Sequence, residues 1–411
     1  MSATTRVLVG LAAGALIGLL LAGWDETVAL QVANVAQPVG KLWLNALQMT
    51  VVPLVLALVV VGVNTATDAA ASGRIARRAI VVFIVVLTGG ALFAALAAPL
   101  VFALFPHNPA LITALDHASV PAAAQAAPNW IDTLVAIVPS NAIMAAAQSA
   151  MLPLVVFALF LGFALTRIAP ARRAMLVEFF QAIADAMIVI VRWVLWVAPL
   201  GVFALILSVC ARSGLGMLSA LGVYVLTECL LYLAVTAMML PVALVFGGEK
   251  LRRFVPALVP AQAVAISTQS SLASLPAMLE SADRRLGYPK QVAALVLPMA
   301  VSLFRLTSPV QYLTSAAFIA WAYGVDLSTA QLLAGALLAV VVSLGSVGLP
   351  GQVTFVATNL PVAQAMGLPL SPLGLMLAVD TIPDALATLG NVTGDMTATS
   401  VVARQSRGDT A

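Results

Sequence analysis

The sequence predicts an all-α, polytopic membrane protein, and three observations carry that prediction. Of 411 residues, 62% are hydrophobic and 9% charged, where a soluble chain carries about 25% charge. Lys and Arg fall in islands separated by long stretches that hold neither, as expected when basic residues are kept on one side of a membrane. Two apolar segments are interrupted at their centres by Ser, Gly and Pro, and irregular backbone at membrane depth survives only where protein or a wet cavity satisfies it. The near balance of 19 Lys+Arg against 16 Asp+Glu points neither to nucleic acid nor to a strongly anionic partner. The partner surface is the lipid bilayer.

Taken in order, Arg6 precedes the first apolar run, Val7 to Leu21. No Ala-x-Ala-type site after a polar spacer follows it, so the run is expected to be a retained membrane helix and not a signal peptide. Arg74, Arg77 and Arg78 follow the second run, and Arg167, Arg172 and Arg173 the fourth. From Phe105 up to Arg167 there is no Lys or Arg, while a Pro/Ala-rich loop there holds His107, Asp116, His117 and Asp132. Positive-inside logic puts that loop outside. The Arg islands, both termini and the short tail with Arg404 and Arg407 are then cytoplasmic, in a cell membrane expected to be a bacterial inner membrane.

Two later basic islands, Lys250/Arg252/Arg253 and Arg284/Arg285/Lys290, flank the segment Phe254 to Leu279. If both islands are cytoplasmic, the segment crosses twice or not at all. About 26 residues are too few for two crossings of about 20 each, so it is expected to enter and turn back. Its centre, Ser267-Thr268-Gln269-Ser270-Ser271-Leu272-Ala273-Ser274-Leu275-Pro276, is a run of hydroxyls suited to a hairpin tip. A second candidate lies between Asp326 and Asp380, broken by Gly345-Ser346-Val347-Gly348-Leu349-Pro350-Gly351. Paired broken segments beside charged helices are the best sequence pointer to a carrier's binding site, whereas a single one would as readily be a kinked span.

The charge beside them is Arg305, deep in the apolar run Leu297 to Ser308. A guanidinium cannot shed its proton, and placing it there costs several kcal/mol unless something pairs with it. Candidate partners lie downstream. Asp380, Asp384, Asn391 and Asp395 fall within a roughly 60° arc if the segment is one regular helix. Cys210 and Cys229 are too few for a disulfide framework and are read as packing residues. His107 and His117 belong to no ligand cluster, so no metal is expected. No phosphate loop or nucleophile-base arrangement appears, so neither a cofactor nor an enzyme activity is expected.

Five stretches together identify a family. Gln48-Met49-Thr50-Val51-Val52-Pro53-Leu54, Ala198-Pro199-Leu200-Gly201-Val202-Phe203-Ala204-Leu205, the Ser-rich hairpin ending Leu275-Pro276, Gly348-Leu349-Pro350-Gly351 and Asn391-Val392-Thr393-Gly394-Asp395 resemble the dicarboxylate/amino-acid:cation symporters, the glutamate transporter family. The resemblance runs in order over nearly the whole chain. It implies the glutamate-transporter (elevator) fold: eight transmembrane helices plus two re-entrant helical hairpins, assembled as a homotrimer. By position, residues 1–74 hold scaffold helices 1 and 2, 75–105 the third helix of the transport domain, and 106–210 scaffold helices 4 and 5. Residues 211–411 complete the transport domain, with helix 6, hairpin 1 at about 251–281, a broken helix 7 at about 289–325, hairpin 2 at about 331–367 and helix 8 at about 371–402. Substrate is then expected between the hairpin tips, against Ser270, Ser271, Gly348, Leu349 and Pro350, with Ser308 from helix 7 and Asp384, Ala387, Thr388 and Asn391 from helix 8.

Two departures from the family pattern bear on function. Relatives that use sodium carry Asn-Met-Asp-Gly-Thr in the seventh helix, where this chain has Phe304-Arg305-Leu306-Thr307-Ser308. Sodium needs hard oxygen ligands, which Phe and Leu side chains lack, and Val86 and Leu87 stand near the place of the third-helix hydroxyls. Arg305 then reads as a built-in cation replacing a bound one, with Asp380 and Asp395 as its partners. Relatives with acidic substrates place an Arg on the eighth helix to clasp the side-chain carboxylate, and here that position is Ala387.

The expected function is therefore sodium-independent transport of a small, neutral amino acid. Asp384 would hold its ammonium, and Asn391 and the hairpin backbone N–H groups its carboxylate. The alternative keeps the fold and has Arg305 bind an acidic amino acid or a C4-dicarboxylate, with proton coupling open. A third reading, of another class, is a transport-incompetent sensor or scaffold, or an anion pore. The intact polar face argues against it, because intramembrane charge is functional by default.

Overall fold

A backbone in lipid must satisfy its hydrogen bonds within the segment or within a closed barrel, and this chain takes the helical solution. The computed structural model describes residues 3–71, 73–106, 138–148, 150–213, 215–345 and 351–407, and among these there is no strand. The expectations for the external loop with His107 and His117, and for the hairpin 2 tip, fall outside them. The helices are α1 (Ala3–Trp24), α2 (Glu26–Gln48), α3 (Val51–Ala71), α4 (Arg74–Phe102), α5 (Ala142–Ala147), α6 (Met151–Leu165), α7 (Pro170–Trp196), α8 (Ala198–Ser213) and α9 (Leu215–Val245). They continue as α10 (Leu251–Thr268), α11 (Ser271–Glu280), α12 (Lys290–Leu303), α13 (Thr307–Tyr323), α14 (Thr329–Gly345), α15 (Gly351–Ala365), α16 (Leu373–Val379) and α17 (Thr381–Arg407).

Among the described residues five stretches are long and apolar enough to cross a membrane: Thr27–Thr65, Arg74–Phe102, Pro170–Trp196, Leu218–Val245 and Lys290–Tyr323, with the bent pair α16/α17 as a sixth. Shorter apolar helices, among them Val9–Trp24 and Ala198–Arg212, fall below the roughly 20 residues of a full crossing. Large apolar side chains face outward along these helices, including Leu96, Leu100, Phe160, Trp193, Leu226 and Leu337. The polar groups point inward. Along α17 every residue from Gly390 to Ala403 is buried, among them Asn391, Thr393, Asp395, Thr397, Thr399 and Ser400. This inversion of the soluble pattern is what lipid as solvent demands.

Packing gathers the helices into two neighbourhoods. On one side α8 packs on α1 and α2, and α3 on α6 and α7; on the other α17 packs on α9, α10 and α12, and α13 on α4. The α1–α8 contact is unusually close because Gly10, Gly14 and Gly18 stand four residues apart on one face of α1. A methyl added at these glycines would lie 2.5 Å from the Pro199 carbonyl oxygen, 2.7 Å from that of Phe203 and 2.8 Å from the Cys210 Cβ. Small residues at this spacing let membrane helices touch backbone to backbone.

The basic islands meet at one end. There Arg78 donates to the Gln405 carbonyl (3.0 Å), Arg404 to that of Val245 (2.6 Å) and Arg253 to that of Arg285 (2.8 Å). Beside them Arg173 pairs with Asp68 at 2.7 Å and donates to Asn64, joining α7 to α3.

Three interruptions shape the rest. Helices α10 and α11 pack against each other through a tip at Gln269, whose backbone is left-handed (φ 50°), and Ser270 caps α11 by accepting from the Ala273 N–H at 3.3 Å. The chain between Leu303 and Thr307 leaves the helix, with Phe304 extended. A proline ring clashes with the carbonyl four residues before it, and Pro309 sets that break at Arg305. In the same way Pro383 disrupts the helix at Val379, and α16 and α17 meet at Asp380 with a bend of 73°. This corrects the single-helix expectation for residues 371–402. Asp380 stands at the corner and does not share one straight helix face with Asp384, Asn391 and Asp395.

Candidate functional site

The two broken helices meet through Thr307 and Asn391. Thr307 opens α13, so its backbone N–H has no intrahelical acceptor; the Asn391 Oδ1 of α17 accepts it at 2.9 Å and also accepts the Thr307 hydroxyl at 3.0 Å. The hydroxyl lies 3.2 Å from the Ala387 carbonyl as well. With its oxygen engaged in this way, Asn391 has its side-chain N–H₂ left to donate to a ligand. Gly390 and Gly394 permit the approach, since a methyl at Gly390 would stand 2.6 Å from Thr307 Cγ2 and one at Gly394 would stand 3.1 Å from both Leu306 and Phe304.

The tip of the first hairpin lies against the start of α17, where Gln269 Nε2 donates to the Thr381 carbonyl at 3.1 Å. This brings the neighbours Ser270 and Ser271, both half-buried, to the helix turn that begins at Thr381 and includes Asp384. Helix α14 reaches the break between α12 and α13, where the Arg305 carbonyl accepts from Ser308 N–H (3.1 Å) and Ser343 Oγ (3.4 Å). Gly348, Leu349 and Pro350 lie outside the described residues. Ser308, Asp384, Ala387, Thr388 and Asn391 are all buried, between 1% and 6% exposed, so the expected substrate residues are sequestered from solvent.

Arg305 is half-buried at the break, and its charge acts on Asp380, Asp384 and Asp395. Asp395, expected as a charge partner of Arg305, is fully buried and neither of its oxygens has a hydrogen-bond partner. Asp380 spends one oxygen on Gln311 Nε2 at 2.7 Å and leaves the other without a partner. The guanidinium therefore meets these carboxylates as a shared positive charge. Around it, Phe304 stacks on Phe83 of α4 with ring centroids 4.9 Å apart and planes 12° from parallel. Leu306 fills the space between Gly90 and Gly394. Hydrocarbon occupies the positions flanking Arg305.

Sequence reasoning passed over Gln269, Gln311, Thr307 and Glu228. Gln269 and Gln311 carry no charge to mark them, and their roles depend on contacts 112 and 69 residues away. Glu228 was findable. It is a lone acid in an apolar helix, the same signal that singled out Arg305, and it is fully buried.

Broken helices, a helical hairpin tip and a buried polar cluster within an apolar bundle define a membrane transporter, and comparison with known proteins agrees. Residues 3–405 match the sodium:dicarboxylate symporter family. The protein belongs to that family: it is a membrane-embedded transporter and not an enzyme. It is 30% identical to the proton/glutamate-aspartate symporter of Escherichia coli K12, over 97% of this chain and 92% of that one. Identity is 31% with the neutral amino acid transporter B(0) of rabbit (Oryctolagus cuniculus), covering 94% and 77%. With the proton/sodium-glutamate symport protein of Bacillus caldotenax it is 29%, covering 97% and 93%.

Proposed function

We propose that this protein is a sodium-independent secondary transporter of a small neutral amino acid. The observation that carries the reading is the packing of the break: Phe304 stacked on Phe83 and Leu306 seated between Gly90 and Gly394, with Arg305 between them. Sodium coordination needs several hard oxygens, and hydrocarbon side chains stand where relatives carry theirs. The fixed guanidinium supplies the positive charge in place of an ion. For substrate, Asp384 receives the ammonium, and Asn391 Nδ2 and the hairpin backbone N–H groups the carboxylate. Ala387 leaves room for a small apolar side chain. The named activities of the relatives include both neutral amino acids and glutamate or aspartate.

In this proposal α4 and residues 211–411 move as the transport domain against a scaffold built from residues 1–74 and 106–210, in a homotrimer. The full family complement of eight spans and two re-entrant hairpins belongs to the same proposal, as do the cytoplasmic termini and a bacterial inner membrane.

A second reading, uptake of an acidic amino acid or C4-dicarboxylate, is favoured by one observation: the charge of Arg305 acts on Asp384, and the same charge would attract a substrate carboxylate. The test is transport in proteoliposomes with sodium replaced by potassium or choline, competed by unlabelled alanine, serine, aspartate and succinate. The expected result is substrate affinity unchanged within about twofold, or roughly 0.4 kcal/mol, with alanine or serine competing. A tenfold sodium dependence would refute the built-in cation, and competition by aspartate or succinate alone would favour the second reading.

A further inference from the structure

Glu228 has no part in the substrate site described above. It sits mid-way along α9 in Leu226-Thr227-Glu228-Cys229, fully buried. Its Oε1 accepts from the Tyr232 hydroxyl at 2.8 Å, and its Oε2 has no partner. At the corner between α16 and α17 stands Asp380, also fully buried, whose Oδ2 is likewise without a partner. Tyr224, one turn before Glu228, meets Ser315 of α13 at 3.2 Å, and Gln311, one turn before Ser315, donates to Asp380, so the packing of α9 on α13 brings the Glu228 and Asp380 carboxyls to the same level of the bundle.

The remaining groups around Glu228 are accounted for element by element. Its own helix contributes Tyr224, Tyr232 and Cys229. From α13 come the neutral Gln311, bonded to Asp380, and Ser315, 3.2 Å from the Tyr224 hydroxyl. Helix α4 carries no ionisable residue beyond Arg78, α16 carries none, and on α8 the only ones are Cys210 and Arg212 near its far end. Arg305 acts on Asp380 and Asp384 from the broken helix.

Three buried carboxyls thus lie in one part of the bundle, and among the described residues Arg305 is the cation that acts on Asp380 and Asp384, as it does on Asp395. Two buried carboxylates, each with one oxygen left without a hydrogen bond, cannot both be ionised side by side without a penalty of several kcal/mol, and a shared proton removes it. We infer that Glu228 and Asp380 form a proton-binding site, and that its occupancy is linked to the substrate ammonium at Asp384 because Asp380 lies one helical turn before Asp384. The site is distinct from the break that replaces the sodium ligands. It gives the carrier a mobile cation to exchange with solution, where Arg305 is a fixed one. The coupling to substrate rests on the proposed transport function; the proton site itself does not.

The two parts are tested separately. Infrared spectroscopy of the purified protein across a pH titration should show the carbonyl stretch of a protonated, weakly hydrogen-bonded carboxyl, and Glu228→Gln should remove a titrating component of it. A spectrum without that component in wild type, or one unchanged in the variant, overturns the site. If Glu228→Gln does not fold, Tyr232→Phe should shift the component's frequency by withdrawing the hydrogen bond to Oε1, and no shift has the same overturning force. Coupling is then read with a pH indicator in weakly buffered solution on adding alanine, and aspartate in parallel. On the order of one proton per bound solute should be taken up or released by wild type, and none by Glu228→Gln. Counterflow of either amino acid without a proton signal in wild type overturns the coupling. Absence of counterflow with both refutes the transport reading instead, and the infrared result still decides the site.

Discussion

Arg305 and Asp395 set the residue-scale problem, a fixed cation near a fully buried carboxylate that makes no hydrogen bond. Arg305→Met removes the charge that offsets Asp395 and should destabilise the protein by several kcal/mol, because a buried carboxylate left alone must ionise unpaired or take up a proton. Arg305→Met with Asp395→Asn should recover part of that loss in thermal unfolding in detergent; a double variant whose loss equals the sum of the singles would show the pair to be uncoupled. At Ala387, 6% exposed and one turn from both Asp384 and Asn391, an introduced Arg presents a planar fork to a substrate carboxylate. Ala387→Arg should shift preference toward aspartate by about 1 to 3 kcal/mol, read as competition of acidic against neutral amino acids. If wild type already prefers aspartate and the variant binds nothing, Arg305 is the anion receptor. Arg305, Asp384 and Asn391 were legible because charge and amide are costly in an apolar run. The oxygen that Asn391 commits to Thr307 was not, since that bond spans 84 residues.

Among the elements, the two breaks were legible in unequal measure. A break in this segment was expected from the family resemblance, while Arg305 marked only a buried charge there, and α12 and α13 end and begin beside that residue. The corner at Asp380 was missed although Pro383 stands where its ring conflicts with Val379. Periodicity alone read through the proline. That the segment Phe254 to Leu279 turns back was deduced from the distance between basic islands, and α10 and α11 pack against each other there. Its handedness at Gln269 has no counterpart in composition. The α1–α8 contact likewise depends on three glycines whose spacing carries information only once a partner helix is known. Gly14→Leu should force the two backbones apart, with a methyl already 2.7 Å from the Phe203 carbonyl oxygen. The expected cost is about 1 to 3 kcal/mol of stability. An unchanged unfolding midpoint would mean that the contact is dispensable.

For the molecule as a whole, the apolar packing around Arg305 has an electrical consequence. An ion bound from solution crosses with the solute and stays behind, and each one adds about 2.3 kcal/mol per 100 mV to the driving force. A guanidinium bonded to the chain makes a round trip. In the proposed cycle it crosses loaded, returns empty and delivers no net charge, so Arg305 would stabilise the site without drawing on the membrane voltage. For a zwitterionic solute, the steady current of a reconstituted carrier then counts mobile protons alone. Currents on a supported membrane challenged with alanine should be insensitive to replacing sodium by choline and should vanish in Glu228→Gln. A sodium-dependent current would show that a second, dissolvable cation travels with the first. Without one, how far the carrier can concentrate its solute is limited by the proton gradient and the voltage acting on that single proton, whatever the sodium outside.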